Sequence, residues 1–149
     1  MLIHVLPARH FSGRGLKRNQ TLWASFMFET PEQKVYYSGD SGYGPHFKAI
    51  GEQFGSVDLA IMENGQYDRD WRYIHMMPEE TAQAAQDLRA KAILPGHAGR
   101  FVLAKHSWDD PYKRLALASR HKRYRLLTPT LGEPVMLADP TQQFTAWWE

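Results

Sequence analysis

Three residues stand where metal chemistry could be done: His10, Asp40 and His97. Each follows a short run that reads as a strand. Leu2–Leu6 leads into Pro7-Ala8-Arg9-His10, and Val35–Tyr37 leads into Ser38-Gly39-Asp40-Ser41-Gly42-Tyr43. Ala92–Leu94 leads into Pro95-Gly96-His97-Ala98-Gly99. In layered α/β folds, bound groups gather at the carboxyl edge of the sheet. Glycines beside Asp40 and His97 permit tight turns and a close approach of the backbone. Two imidazoles and one carboxylate suit zinc, manganese or iron. A histidine after a strand is also common as a purely structural residue, so spacing alone leaves both readings open.

The elements that must position these groups alternate in type. Leu2–Leu6 reads as a strand, and residues 7–20 as a polar loop. Thr21–Glu29 and Lys34–Tyr37 are rich in aromatic and β-branched residues around Thr30-Pro31-Glu32, which predicts a hairpin. Phe47, Ile50 and Phe54 at helical spacing predict a helix over Pro45–Phe54, ending at Gly55. Val57–Met62 reads as a buried strand. Pro78 opens a second helix running to Lys91, with Glu79 and Glu80 in the first turn, where the dipole favours acids. Ala92–Leu94 is a short strand, Pro111–Lys122 a third helix, and Tyr124–Leu127 and Pro134–Leu137 closing strands. The alternation predicts an α/β layered fold.

Composition narrows the function classes. The chain has 149 residues, one domain or part of one, and 43% are hydrophobic, enough for a core. There is no cysteine, which excludes a thiolate metal site and a disulfide framework. Seven histidines and the acids are left as ligands. A net charge of +2 does not indicate a nucleic-acid binder. No apolar run has the length of a membrane span, so the expected location is cytoplasmic or membrane-peripheral.

Several motifs together resemble the metallo-β-lactamase superfamily, in the branch of N-acyl-phosphatidylethanolamine-hydrolysing phospholipase D. They are Pro7-Ala8-Arg9-His10, Arg14, Arg18 to Trp23, Ser38 to Tyr43, Phe47, Ile50-Gly51, Phe54-Gly55 and Asp58-Leu59-Ala60. His75, Pro78-Glu79-Glu80 and Gly96-His97 complete the series, in the family's order over roughly residues 5–105. The resemblance implies half of a four-layer αββα sandwich, with residues 1–149 as the C-terminal part of a metallo-β-lactamase-like domain. It implies a dinuclear hydrolase holding two zinc ions per complete domain, with manganese or iron as alternatives. His10 and His97 would each bind one metal, Asp40 would bridge them, and His75 would lie at the active site against substrate. Asp40 and His75 are therefore the expected catalytic residues. The substrate would be a small molecule or phospholipid-like ester, lactone or phosphodiester.

The departures are as informative. The superfamily's His-x-His-x-Asp-His motif does not occur in this chain. Ala98 stands where the family has an aromatic residue, and Ser41 where threonine is commoner. The isolated chain is expected to be inactive, and to pair with an N-terminal half or with a second copy as a homodimer. The alternative is a non-catalytic α/β fragment or interaction module.

Other residues have plainer readings. His4 reads as a strand side chain, His46 as a surface or capping residue and His106 as exposed in a polar loop. Arg9, Arg14 and Arg18 could grip a phosphate or pair with carboxylates. The run Arg120 to Arg125 reads as a solvated helix end rather than a nucleic-acid contact. Trp147 and Trp148 are expected to pack on a sheet or a partner.

Overall fold

A computed structural model describes residues 1–13 and 15–149, so Arg14 lies outside the described residues. Six strands form one sheet in sequence order: β1 Leu2–Leu6, β2 Ser25–Glu29, β3 Lys34–Tyr37, β4 Leu59–Glu63, β5 Ala92–Gly96 and β6 Arg125–Leu126. β1, β2 and β3 pair antiparallel, whereas β3 to β6 run parallel. The parallel pairs need crossovers, and α1 His46–Phe54, α2 Pro78–Asp87 and α3 Asp110–Ser119 supply them. A 3₁₀ turn, Arg69–Trp71, lies between β4 and α2.

One sheet face carries the main core. Met27, Tyr36, Ala60, Met62 and Ile93 point to the helices and meet Phe47, Ile50, Ala84, Leu88 and Leu115. Gly51 of α1 lies so close to α2 that an added Cβ would stand 2.1 Å from the Asp87 carbonyl oxygen. α1 ends at Gly55, whose φ of 72° is left-handed and available to glycine at little cost.

The opposite face is finished on one side only. Val135, Leu137 and Phe144 from the C-terminal segment pack with Leu59, Ala92, Leu127, Ile61 and Leu94. Over β1 the described residues form no such layer, and Ile3 and Val5 stay 55% and 71% exposed. On this face Val35 of β3 still packs with that cluster, and the exposed apolar surface lies towards β1.

Several boundaries differ from the sequence reading. Thr21–Ala24 is not strand: the Thr21 amide donates to Ser12 Oγ and Trp23 Nε1 to the Ala8 carbonyl, which fixes an irregular approach. β4 starts at Leu59 because Asp58 interrupts it, accepting the Lys34 amide on its carboxylate. Val57 keeps one isolated bridge to Ala90. α2 stops before Lys91 because Arg89 turns to φ 56°. α3 stops at Ser119, ahead of the basic run. Pro134–Leu137 is not a strand: Pro134 lacks an N–H, and Gln142 accepts the Met136 amide and donates to the Pro134 carbonyl. Trp148 is buried against Tyr112, with ring centroids 5.6 Å apart, and Trp147 donates to the Thr128 carbonyl.

Candidate metal centre

The three strand ends converge because their loops are tied together. The Arg9 amide donates to Ser41 Oγ at 2.9 Å, and the Gly42 amide donates to the Arg9 carbonyl at 2.8 Å. These bonds lock the loop carrying His10 to the loop carrying Asp40. Ser38 fastens the Asp40 loop to β4, with its amide on the Ile61 carbonyl and its Oγ accepting the Glu63 amide. The Asn64 amide donates to the Gly96 carbonyl and so joins the ends of β4 and β5. A Cβ on Gly65 would stand 2.2 Å from the His97 carbonyl oxygen, so this approach requires glycine. His97 itself has φ 61°.

The result is one cluster. His97 Nδ1 stands 3.4 Å from Asp40 Oδ1. The His75 ring lies between the other two histidines, stacked on His97 at 5.1 Å and edge-on to His10 at 5.2 Å between centroids. His10, Asp40, His75 and His97 are therefore brought together at the carboxyl edge of the sheet. His10 Nδ1 is 2.8 Å from the Phe11 carbonyl, which can only accept, so the proton sits on Nδ1 and Nε2 is free as a ligand. A cavity of about 80 Å³ lies between Asp40, Glu63 and His97.

Sequence reasoning passed over Glu63. It ends β4, 3% exposed, and its carboxylate accepts His75 Nδ1 at 2.7 Å, the Met76 amide at 2.6 Å and the Ser41 amide at 3.2 Å. The available signal was an acid closing the apolar run Leu59-Ala60-Ile61-Met62. One oxygen of Glu63 and one nitrogen each of His75 and His97 lie within 4.8 Å of one another.

Electrostatics favours neutral imidazoles here. Burial pushes the His75 pKa below the usual histidine value, and the Asp40 charge pulls only partly against it. His97 is lowered for the same first reason, again opposed by Asp40. Burial also lowers His46 to about 4, helped by the Arg9 charge. Glu63 is raised well above the ordinary carboxylate value by burial, against the pull of the Met76 and Ser41 amides. Neutral imidazole is the form that binds a cation. His10, Asp40 and His97 offer nitrogen and oxygen donors of the kind that zinc accepts.

Beside the cluster opens a cleft of about 600 Å³, lined by Phe11, Trp71, Tyr73 and Leu103 with Arg18 and His75. Arg18 lies 5.6 Å over the Phe11 ring. Arg9 is used by the fold: it donates to the Tyr43 carbonyl and stacks on Tyr73. His4 bonds Glu29 at 2.9 Å, and His46 lies 3.3 Å from Ser41 Oγ. His106 accepts the Gln66 amide at Nε2, so it serves the loop beside the cleft.

Comparison with known proteins agrees with this architecture. The beta-lactamase superfamily domain family matches residues 1–98. A Klebsiella pneumoniae protein named outer membrane protein RomA is 84% identical over 100 residues, 67% of this chain and 76% of that protein. An uncharacterized Mycobacterium tuberculosis protein is 40% identical over 96% of this chain, which spans only 39% of it. The mitochondrial N-acyl-phosphatidylethanolamine-hydrolyzing phospholipase D of Saccharomyces cerevisiae is 33% identical over 88% of this chain and 30% of its own length. Among solved structures, the Ignicoccus hospitalis metallo hydrolase Igni18 superposes with a TM-score of 0.65 at 20% identity, covering 89% of this chain and 51% of that one. No helix among the described residues is long and apolar enough to cross a membrane. The fold, the converging strand ends and these matches agree: the chain belongs to the beta-lactamase superfamily domain family and has the metallo-β-lactamase fold.

Proposed function

We propose that this chain contributes one half of a dinuclear metal centre that hydrolyses a phosphodiester or a related ester or lactone. His10 and His97 would each hold one metal and Asp40 would bridge them, with zinc as the expected ion and manganese or iron as alternatives. The observation that carries this reading is the single cluster in which Asp40 meets His97 at 3.4 Å and His75 lies between His10 and His97. A divalent cation at such a site supplies Lewis acidity, which activates water and polarises a carbonyl or phosphoryl oxygen. His75 faces the reacting group, and the aromatic cleft beside it takes an apolar substrate portion while Arg18 offers a planar cationic grip for an anionic one. A small-molecule or phospholipid-like substrate fits that combination, and a cytoplasmic or membrane-peripheral location fits such a substrate.

With no His-x-His-x-Asp-His sequence in the chain, the remaining ligands would come from an N-terminal half. The exposed apolar surface of Ile3, Val5 and Tyr37 supports a covering partner, either that half or a second copy of this chain. Zinc titration of the purified chain tests the ligand assignment: saturable binding is expected, and Asp40→Ala should abolish it. The chain alone should not turn over a chromogenic phosphodiester, since catalysis needs fixed geometry at a complete site. Turnover by the lone chain, removed by Asp40→Ala, would overturn the half-site reading. The missing motif also favours a second reading, an α/β interaction module without competent metal chemistry; a chain that binds no zinc supports it.

A further inference from the structure

We propose that Glu63 is a positioning residue that holds His75 as its Nδ1–H tautomer, leaving the Nε2 lone pair on the ring edge away from Glu63. The inference deepens the hydrolase reading and rests on it for the role of His75. The geometry is specific. His75 Nδ1 lies 2.7 Å from Glu63 Oε2, and that oxygen also takes the Ser41 amide at 3.2 Å. The other oxygen, Oε1, takes the Met76 amide at 2.6 Å.

Backbone amides can only donate. Two of them, one on each oxygen, favour the ionised, accept-only form against the burial that raises the Glu63 pKa, and on that geometry the proton between Glu63 and His75 is placed on Nδ1. A neutral imidazole with Nδ1 protonated has its free lone pair on Nε2. His75 lines the 600 Å³ cleft, where a free Nε2 lone pair would serve substrate, water or a cation.

The close grouping of Glu63, His75 and His97 could also be a metal triad. The hydrogen bonds argue against it. All three donors converge on a carboxylate that is 3% exposed, and a cation on Oε2 would displace His75 Nδ1 or the Ser41 amide. The same carboxylate joins two loops of the site. Through the Ser41 amide it holds the residue after Asp40, and through the Met76 amide it holds the residue after His75. A carboxylate behind a site histidine fixes ring orientation as well as tautomer.

The test is ¹⁵N-histidine NMR of the full chain, without metal or substrate, on wild type and Glu63→Gln. Wild type should show His75 protonated at Nδ1 with a pyridine-like Nε2. In E63Q one amide N–H must face a donor, so the His75 signals should move to mixed tautomers, while unchanged far-UV circular dichroism shows the fold intact. An Nε2–H tautomer in wild type overturns the proposal and needs no variant. So does an E63Q chain that folds and keeps the wild-type His75 signature. A zinc competition titration separates positioning from ligation. E63Q should weaken zinc by about 10–100-fold, the range for outer partners of a metal site. A loss as complete as that of Asp40→Ala would make Glu63 a ligand and overturn the proposal. A wild type that binds no zinc would instead sink the metal reading, and the tautomer measurement would still decide the role of Glu63.

Discussion

The two walls of the candidate centre are built differently. On one, Glu63 and His75 are 3% and 8% exposed, and Glu63 accepts three short-range donors. On the other, the Asp40 and His97 side chains are 42% and 31% exposed and meet only at 3.4 Å. The first wall is complete within this chain, and its polar groups had to be satisfied for the fold to form, because an unpaired buried polar group is costly. The second wall is open, and its carboxylate and imidazoles are the groups that a cation would draw together. The difference teaches where precision comes from: the buried wall fixes its own side chains by hydrogen bonds, and the open wall leaves its side chains accessible.

Removing Glu63 should give the largest effect. Glu63→Ala strands two buried amides and His75 Nδ1, and should cost several kcal/mol in equilibrium denaturation, at about 1–3 kcal/mol for each buried donor left unpaired. Asp40→Ala, without metal, should stay within about 0.5 kcal/mol of wild type, as exposed substitutions do. Similar losses for the two would erase the contrast between the walls.

Zinc should act mainly on the open wall. At free zinc a hundredfold above its Kd, the wild type should gain about 2.7 kcal/mol in denaturant unfolding. His97→Ala should lose most of that gain. An undiminished gain in His97→Ala would place the metal elsewhere.

Gly65→Ala tests the joint between the walls. The new Cβ would meet the His97 carbonyl oxygen at 2.2 Å, so the loop after β5 must move. We expect about 1–3 kcal/mol of destabilisation, with amide NMR shifts concentrated at His97 and its neighbours. A silent substitution would show that the joint is looser than its geometry.

The smallest effect concerns pH. Folded His46 titrates near 4, below its ordinary 6.5, so the unfolded state binds more protons between those values. Its contribution to stability is intact above about 6.5 and declines as pH falls towards about 4. His75 and His97 act in the same direction, whereas Glu63, raised above its ordinary value, makes stability fall as pH rises through its own window. The His46 share is therefore the difference between wild type and His46→Gln, whose stability should decline less over this acid range. Parallel pH profiles would remove His46 from the account.

Much of the fold was legible in sequence because the signals were local. β1 and β3 match their apolar runs at both ends, and α1 falls between Pro45 and Gly55 as its spacing predicts. Boundaries failed where a side chain competed with the ladder or the helix, as at Asp58, Arg89 and Gln142. The expected strand at Pro134–Leu137 was read from apolarity, and Val135 and Leu137 are indeed packed, but a proline backbone bonded by Gln142 joins no sheet.

The sequence by itself determined the residue types and their order: His10, Asp40 and His97 after strands, no cysteine, and motifs that point to one superfamily. Strand ends are local, and parallel strands gather their carboxyl ends on one edge, so convergence could be expected before any coordinates. Only the tertiary structure decided how that edge is held. Glu63 acts through Ser41, 22 residues before it, and His75, 12 residues after it. No periodicity encodes such contacts. They arise when three loops close over one buried carboxylate, where low dielectric makes every unpaired donor costly and each satisfied one firm.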